Sequence, residues 1–252
     1  MDTPDPSLEV KTNQQGQALG RKGQETRRRL MEAARKLLEI YSPVELTAVS
    51  IAKEAKTSSA SFYMYFVDVR DILYALATQA GADMLHVHAV VDQPWEEGNL
   101  ETRAMELVEA VTTVWDRHRQ VLRFRNLEAD RGDPRFEALR MNTYVPFIDL
   151  LARRIISATP ADRPRPSLSQ AFSLASVLHS AMERLASTDP AVIARGVGSK
   201  KLNAALAHVI MLVFNGGGFS ESTTRGAQAA GSAKPKAAPT KTVRRVAAKK
   251  TA

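Results

Sequence analysis

Residues 47–66 read TAVSIAKEAKTSSASFYMYF and contain two short helical patterns separated by a break at 57–59. Thr47 is suited to cap the first helix, because its hydroxyl can accept the free backbone amides of the next turn. Ser58 is suited to cap the second helix, whose second half is rich in aromatic side chains. Two short helices joined this closely predict a helix-turn-helix.

An amphipathic helix precedes this pair and completes a three-helix unit over residues 21–66. Its apolar side chains recur at helical spacing, while arginine, lysine and glutamate side chains occupy the other face. Ser42 and Pro43 end the helix, since proline disfavours helical geometry in the residue before it and has no amide hydrogen to donate. Phe62 and Phe66 are predicted to lie in the core, packing the third helix onto the first.

The rest of the chain shows helical patterns almost to residue 215. The predicted helices span about 68–91, 99–117 with an extension through 125, 133–157, 167–187 and 199–214. The last is apolar on so much of its circumference that it must be buried on more than one side. Because no alternating strand pattern of useful length is present, the sequence predicts an all-α fold, with a larger helical domain over 67–215 after the helix-turn-helix.

Residues 24–75 closely resemble the DNA-binding region of the TetR family of bacterial transcriptional regulators. The matching positions are Thr47, Ile51, Ala52, Ala55, Ser58, Tyr63, Tyr65 and Phe66, together with Leu30 to Leu38 in the first helix and Ile72 and Leu73 in the fourth. The resemblance implies that 21–66 is a DNA-binding domain and that 67–215 is a ligand-binding and dimerisation domain. It also implies a homodimer formed through helices 167–187 and 199–214. The last helix is apolar enough to need burial against a second subunit, which independently favours a dimer. A protein with two-fold symmetry can bind a DNA site with two-fold symmetry.

Three positions depart from the family's usual pattern. Ser42 and Lys56 stand where the family commonly has glycine, and Val69 stands where it commonly has a lysine. A side chain in a backbone conformation with positive φ costs roughly 1 kcal/mol, which we expect at Ser42 and Lys56. Val69 removes an expected phosphate contact, for which the neighbouring Arg70 is a candidate replacement.

The family's third helix lies in the major groove of DNA, and the resemblance places two sets of contacts on this chain. Base edges would face Ser59, Ala60, Ser61 and Met64, and phosphates would meet Thr47, Ser58, Tyr63 and Tyr65. The base-facing set has no Arg, Asn or Gln, the side chains that form bidentate pairs with guanine or adenine. We therefore expect modest direct readout, with more of the affinity coming from phosphate contacts of Lys53, Lys56, Arg70, Arg21 and Lys22.

A small-molecule pocket in the second domain is predicted from polar side chains among apolar neighbours. Its candidate residues are Trp115, His118, Arg123, Tyr144, His179 and Met182. Aromatic residues at helical spacing are also typical of an ordinary core, and both interpretations stay open. The arginines at 117, 119, 123 and 125 would suit either an anionic ligand or a solvated basic face.

No metal site or cofactor is predicted. His86 and His88 lie two residues apart, so on a helix they point about 200° apart and cannot share one ion. The absence of cysteine excludes disulfides, thiolate nucleophiles and sulfur-ligated zinc. The first twenty residues are polar without a basic segment followed by an apolar one, so we expect neither a secretory signal nor, since no apolar run of about 18 residues occurs, a membrane span.

Charge is unevenly distributed along the 252 residues. The chain has a formal charge of +8, of which residues 216–252 contribute +7 from eight basic side chains and one acidic one. That segment has almost no large apolar groups and is predicted to be a disordered tail, as residues 1–20 are predicted to be a disordered arm. The tail is interpreted either as a solvated extension without function or as a non-specific phosphate-binding arm.

Two functional hypotheses follow. The first is a cytoplasmic, nucleoid-associated homodimeric repressor that an unknown small-molecule effector releases from an inverted-repeat operator in double-stranded DNA. The alternative is an architectural DNA-binding protein that uses its basic tail with little sequence preference. An enzyme is not expected, because the sequence has no glycine-rich phosphate loop, no nucleophile elbow and no credible metal cluster.

Overall fold

The structure, a computed structural model, describes residues 12–216. Its nine helices within that range are α1 (Arg21–Leu37), α2 (Ala48–Glu54), α3 (Ser59–Tyr65), α4 (Val69–Val91), α5 (Leu100–Asp130), α6 (Pro134–Ala158), α7 (Leu168–Ser187), α8 (Pro190–Arg195) and α9 (Ser199–Phe214). The predicted all-α fold is confirmed, with a three-helix helix-turn-helix at the N-terminal end and the larger helical part after it.

Both predicted helix caps are present in the helix-turn-helix. The Thr47 hydroxyl accepts the Ser50 amide at 3.0 Å, and the Ser50 hydroxyl accepts the Thr47 amide at 3.1 Å. This reciprocal pair is a capping box, which satisfies two backbone donors that the first turn of α2 leaves free. The Ser58 hydroxyl likewise accepts the Ser61 amide at 3.1 Å and begins α3. The start of each short helix is therefore set by its own sequence.

The turn between α2 and α3 depends on Lys56. Its φ is +53°, the one positive φ at a non-glycine position among residues 12–216. Lys56 donates its amide to the Lys53 carbonyl at 3.1 Å, and Thr57 donates to the Ala52 carbonyl at 2.9 Å. These two bonds form a Schellman motif, which ends α2 and turns the chain toward α3. The positive φ expected at Lys56 is confirmed, whereas the one expected at Ser42 is wrong, because the Ser42 amide bonds the Glu45 carboxylate in an ordinary turn.

The helix α4 contributes to two separate hydrophobic cores. Its first half, including Ile72 and Leu73, packs into the core of the helix-turn-helix. Its second half, including Val87 and Val91, packs into the core of the larger helical part. Phe124 from α5 and Phe136 from α6 also belong to the first core, in an edge-to-face contact with ring centroids 5.6 Å apart. The core of the helix-turn-helix therefore extends past the predicted domain boundary at residue 66, because it includes side chains of α4, α5 and α6.

Two helices differ from the predictions. α5 continues without a break to Asp130, because no glycine or proline interrupts it before Gly132, whose φ is +87°. α8 was not predicted, although its start has a local signal: the Asp189 carboxylate caps the Ala191 amide at 2.8 Å, and Pro190 occupies the first helical position.

Residues 12–20, part of the segment predicted as a disordered arm, form a turn closed by a bridge between Thr12 and Ala18. The Gln14 amide donates to the Met64 carbonyl at 3.0 Å, which ties this turn to the end of α3. The predicted disorder of 1–20 is therefore corrected over residues 12–20. The bond from Gln14 to Met64 joins positions 50 residues apart and leaves no periodic signal in the sequence. The remaining part of the arm and the tail from 217 lie outside the described residues.

We predict that Lys56→Gly stabilises the protein by about 1 kcal/mol, because glycine adopts the left-handed conformation without the steric cost that a side chain incurs. The free energy of unfolding, measured by urea denaturation, checks this expectation. Lys53→Gly is the matched control: Lys53 is equally exposed but helical, so glycine there should destabilise by about 1 kcal/mol. Two changes of the same sign would show that backbone conformation at Lys56 does not govern the effect.

Candidate DNA-binding surface and ligand pocket

One face of α3 is buried and the opposite face is exposed. Phe62 and Phe66 are almost completely buried and pack with ring centroids 5.7 Å apart, as the sequence predicted. Ala60, Tyr63 and Met64 are exposed. These three residues lie three and four positions apart, so they form one continuous patch on the helix. The Tyr63 side chain is 56% exposed, and its hydroxyl has no hydrogen-bond partner among the described residues, so it is available to a binding partner.

The other predicted DNA-contacting residues on this helix are less accessible. Ser59 and Ser61 are half-buried, and the Tyr65 ring packs partly against the first core. Thr47 and Ser58 are exposed. The Thr47 hydroxyl accepts the Ser50 amide and donates to the Ser50 hydroxyl at 3.1 Å. The Ser58 hydroxyl accepts the Ser61 amide and keeps its hydrogen for donation. The patch that can enter a groove is therefore centred on Ala60, Tyr63 and Met64, with the two caps beside it.

Lys53 and Lys56 supply positive charge next to this patch. Both are exposed, and neither has an ion-pair partner among the described residues. Lys36 differs, because its ammonium group bonds the Glu54 carboxylate at 2.5 Å and joins α1 to α2. Lys53 and Lys56 are therefore the lysines near α3 whose charge is free to meet a phosphate.

Arg70 lies in a different environment from the one predicted. Its guanidinium contacts the carboxylates of Glu128, at the end of α5, and Asp133, at 2.7 Å, at the start of α6. Asp133 also caps α6 by accepting the Arg135 amide at 2.9 Å. The Glu128 side chain is only 6% exposed, and a buried carboxylate needs a partner. Arg70 thus balances two acids at the join between the helix-turn-helix and the larger helical part.

The four arginines close in sequence on α5 do not form one basic cluster. Arg117 pairs with Asp83 at 3.2 Å, and Arg119 donates to carbonyls at the end of α7, including that of Thr188 at 2.7 Å. Arg123 is exposed, whereas Arg125 is only 2% exposed. The sequence allowed two interpretations, a site for an anionic ligand or a solvated basic face, and neither of them describes all four arginines.

A pocket lies in the second core between α4, α5, α6 and α7. Four of the six predicted residues line it, namely Trp115, Tyr144, His179 and Met182. The structure does not bring the other two there: His118 bonds the Asp83 carboxylate at 2.7 Å, and Arg123 faces solvent. The pocket has a cavity of about 20 Å³, enough for one water molecule.

Two charged residues, Arg125 and Glu183, also line the pocket. Sequence reasoning considered Arg125 only as one of four neighbouring arginines, and it missed Glu183. The Tyr144 hydroxyl donates to the Glu183 carboxylate and accepts from Arg125 Nη2 at 2.6 Å. The Arg125 guanidinium also lies over the Tyr144 ring, 4.8 Å from its centroid. Burial raises the pKa of the Tyr144 phenol and lowers the pKa of Arg125 and of His179. The pocket therefore holds a neutral phenol and a neutral imidazole between one cation and one anion.

The comparisons with known proteins agree with this architecture. The sequence of residues 87–218 matches the family described as "Tetracyclin repressor-like, C-terminal domain". That match spans more than half of the chain. The chain belongs to the TetR family. It is therefore a DNA-binding transcriptional regulator, as the resemblance in its first 75 residues implied.

Solved structures of TetR-type regulators share its fold. A transcriptional regulator from Streptomyces coelicolor is 20% identical, with a TM-score of 0.57 over 86% of this chain and 92% of that one. A protein from Saccharomonospora viridis, described as a transcriptional regulator in complex with choline, is 22% identical, with a TM-score of 0.61 over 74% of this chain and 95% of that one. GusR from Salmonella enterica is 20% identical, with a TM-score of 0.55 over 76% of this chain and 96% of that one. No curated protein matches the sequence significantly.

Within residues 12–216, no helix of this TetR-family protein is long and apolar enough to cross a membrane.

We predict that the protein loses stability as the pH falls from 7 to 5.5. Burial holds the pKa of His179 below its ordinary value of 6.5, so in this window the unfolded chain takes up a proton that the folded chain excludes. Thermal unfolding across the pH range measures the loss. His179→Gln should remove part of the pH dependence, whereas His86→Gln, a change at an exposed histidine on α4, should leave it intact. An unchanged pH dependence in His179→Gln would contradict the assignment.

Proposed function

We propose that this TetR-family protein is a homodimeric repressor that holds an inverted-repeat operator and releases it when a small-molecule effector binds in the second core. The single observation that carries the proposal is the joining of the two cores through α4. A helix whose first half supports α3 and whose second half borders the pocket connects ligand binding to DNA binding physically.

The exposed face of α3 supports DNA recognition with modest base specificity. Ala60 and Met64 offer apolar groups suited to the methyl group of thymine, and Ser59 and Ser61 offer hydroxyls with little preference between bases. Tyr63, Tyr65, Thr47 and Ser58 are assigned to the phosphates on either side, with Lys53 and Lys56 adding charge. Arg70 is left out of this interface, because its guanidinium is already paired with Glu128 and Asp133.

The uncharged outer faces of α7 and α9 support dimerisation. Residues 168–182 and 202–214 contain no Asp, Glu, Lys or Arg. Phe172 is 38% exposed and Val177 is 67% exposed on α7, and Val209 and Leu212 are nearly half exposed on α9. Exposed apolar side chains on uncharged stretches of two adjacent helices are typical of an interface between subunits. A second copy covers them in the proposed dimer and places its own α3 at the other half of the operator.

The links around Arg70 support release of the operator by an effector. Glu128, which pairs with Arg70, follows Arg125 by about one helical turn on α5. A ligand that moves Arg125 therefore displaces a helix that is joined by an ion pair to the beginning of α4. For such a switch the effector must bind one of the two conformations more tightly than the other.

Ligands bound to two proteins of similar fold agree with an effector-responsive role. The Saccharomonospora viridis protein was solved with choline, and SmeT, with a TM-score of 0.54 and 16% identity, was solved with triclosan. Their different chemistry leaves the effector of this chain to be deduced from its own pocket. The proposed site of action is the cytoplasmic nucleoid, where a regulator meets its operator.

We predict that the protein protects one short inverted repeat near its own gene in DNA footprinting, and that truncation after residue 218 leaves this protection in place. The truncated chain lacks the +7 charge of the tail, so it should lose mainly salt-sensitive background binding. Diffuse protection that disappears with the tail would instead support the architectural function.

Two substitutions on α3 serve as controls in the same assay. Tyr63→Phe removes a proposed phosphate contact and should weaken binding to all sequences similarly. Ala60→Gln places a side chain able to pair with adenine and should change which base is preferred at one position in each half-site. Equal losses across randomised sites for both variants would contradict the assigned roles.

We predict that Val177→Arg converts the dimer to a monomer and weakens operator binding at least tenfold, because it introduces an unpaired charge into an apolar interface. Light scattering coupled to size exclusion measures the mass. Leu85→Arg is the matched control, since Leu85 is a similarly exposed apolar residue on α4. A dimer that persists in Val177→Arg, or dissociation in both variants, would place the interface elsewhere.

A further inference from the structure

We propose that the effector of this protein is a small organic acid, with one carboxylate bound by Arg125 and an apolar body of about one ring held by the surrounding side chains. The inference rests on the proposed function, since it names the ligand class of the same pocket.

The hydrogen bonds of Arg125 leave part of its guanidinium without a partner. Nε and Nη2 both donate to Asn126 Oδ1, at 3.0 and 2.9 Å, and Nη2 also donates to the Tyr144 hydroxyl. Nη1 donates to no acceptor among the described residues. Because arginine keeps its charge even when buried, Nη1 of this side chain, which is only 2% exposed as a whole, keeps two donors available to a ligand.

The negative charge nearest to Arg125 is engaged elsewhere. The Glu183 carboxylate accepts the Asn126 side-chain amide at 2.7 Å and the Tyr144 hydroxyl, and it makes no direct ion pair with Arg125. Asn126 and Tyr144 therefore separate the two charges. A buried guanidinium without a carboxylate in contact is costly, and a ligand carboxylate would supply the bidentate partner that this geometry lacks.

The remaining walls suit an apolar body. Trp115, Leu122 and Phe147 surround the cavity, and Met84 and Met182 lie on two different helices around it. A cavity of about 20 Å³ cannot hold a ring, so the walls must move apart when the ligand enters. Methionine side chains adapt readily because they are unbranched and flexible, which makes a small displacement of α4 and α7 feasible. The limited room favours a ligand with one ring over a larger one.

A cationic ligand fits the same pocket less well. An ammonium group would approach Glu183, whose Oε1 already accepts two donors, and it would be repelled by the positive charge of Arg125 in the same pocket. The Tyr144 ring, which could otherwise stack on a cation, already contacts the Arg125 guanidinium. Charge and hydrogen bonding therefore both favour an anion.

Isothermal titration calorimetry on the full chain at pH 7.5 tests the proposal. The probes are benzoate and 3-phenylpropanoate, their neutral amides, and benzylamine as the cation. At least one of the two carboxylates should bind, its amide should bind at least tenfold more weakly, and benzylamine should not bind. Arg125→Gln should weaken carboxylate binding at least tenfold, whereas Arg123→Gln, an exposed arginine two positions away on α5, should have no effect.

Glu183→Gln provides a second variant with the opposite expected sign. Glutamine keeps an oxygen to accept from Tyr144 and Asn126 but removes the negative charge that repels a ligand anion, so the carboxylates should bind more tightly. Tighter binding of benzylamine than of either acid, equal binding of acid and amide, or no binding of any probe by a folded chain would overturn the proposal.

Operator binding, measured in parallel without ligand, distinguishes a failure of the proposed effector from a failure of the proposed repressor function. If the chain protects an operator but fails the carboxylate titrations, the repressor function stands and the organic-acid effector is refuted. If the carboxylates bind through Arg125 but the chain has no operator, the pocket assignment stands and the repressor function is refuted.

Discussion

The helix α4 belongs to two hydrophobic cores at once, and most of the structure depends on that sharing. Ile72, Leu73 and Leu76 are buried against the helix-turn-helix, and Val87 and Val91 are buried in the larger helical part. Side chains in protein cores pack as densely as organic crystals, so a displacement at one end of a helix is transmitted to the other end. Phe62 of α3 and Phe66 directly after it consequently share a core with a helix that also forms a wall of the pocket.

Charged groups strengthen the same join. Glu128 and Asp133 come from the end of α5 and the start of α6, and both contact Arg70 at the start of α4. The pairing satisfies a buried carboxylate and holds three helix ends together, and it leaves Arg70 without a free charge for DNA. Lys53 and Lys56, which are proposed to add charge to the phosphate contacts, have no ion-pair partner among the described residues. Arg70 follows the DNA-binding motif in the sequence, but its ion pairs connect the helix-turn-helix to the larger helical part.

The pocket is nearly filled by its own side chains, which determines how the proposed effector would act. A ligand that needs more than about 20 Å³ binds only after α4, α5 or α7 has shifted. Binding and displacement are then coupled, because the conformation that accommodates the ligand is not the one that the unliganded core favours. The polar cluster of Arg125, Asn126, Tyr144 and Glu183 joins α5, α6 and α7, so a ligand that rearranges it acts on three helices together.

The features of the helix-turn-helix that could be predicted from the sequence mostly depend on interactions between residues a few positions apart. The caps at Thr47 and Ser58 and the buried Phe62 and Phe66 follow from hydrogen bonding and helical periodicity over less than two turns. The positive φ at Lys56 was expected from the family resemblance instead. Ser42 adopts another turn, because an acceptor three residues away at Glu45 satisfied its amide without a positive φ.

The tertiary structure decided which of two neighbouring arginines on α5 faces the pocket. Arg123 and Arg125 are two residues apart and chemically identical, yet their helical positions differ by about 200°, so only packing against α6 and α7 selects Arg125 for the pocket. Arg70 and His118 likewise found carboxylates that lie 35 or more positions away in sequence. Hydrophobic periodicity identifies the buried face of each helix, but long-range pairings between charged groups leave no periodic trace, and only the packed structure shows them.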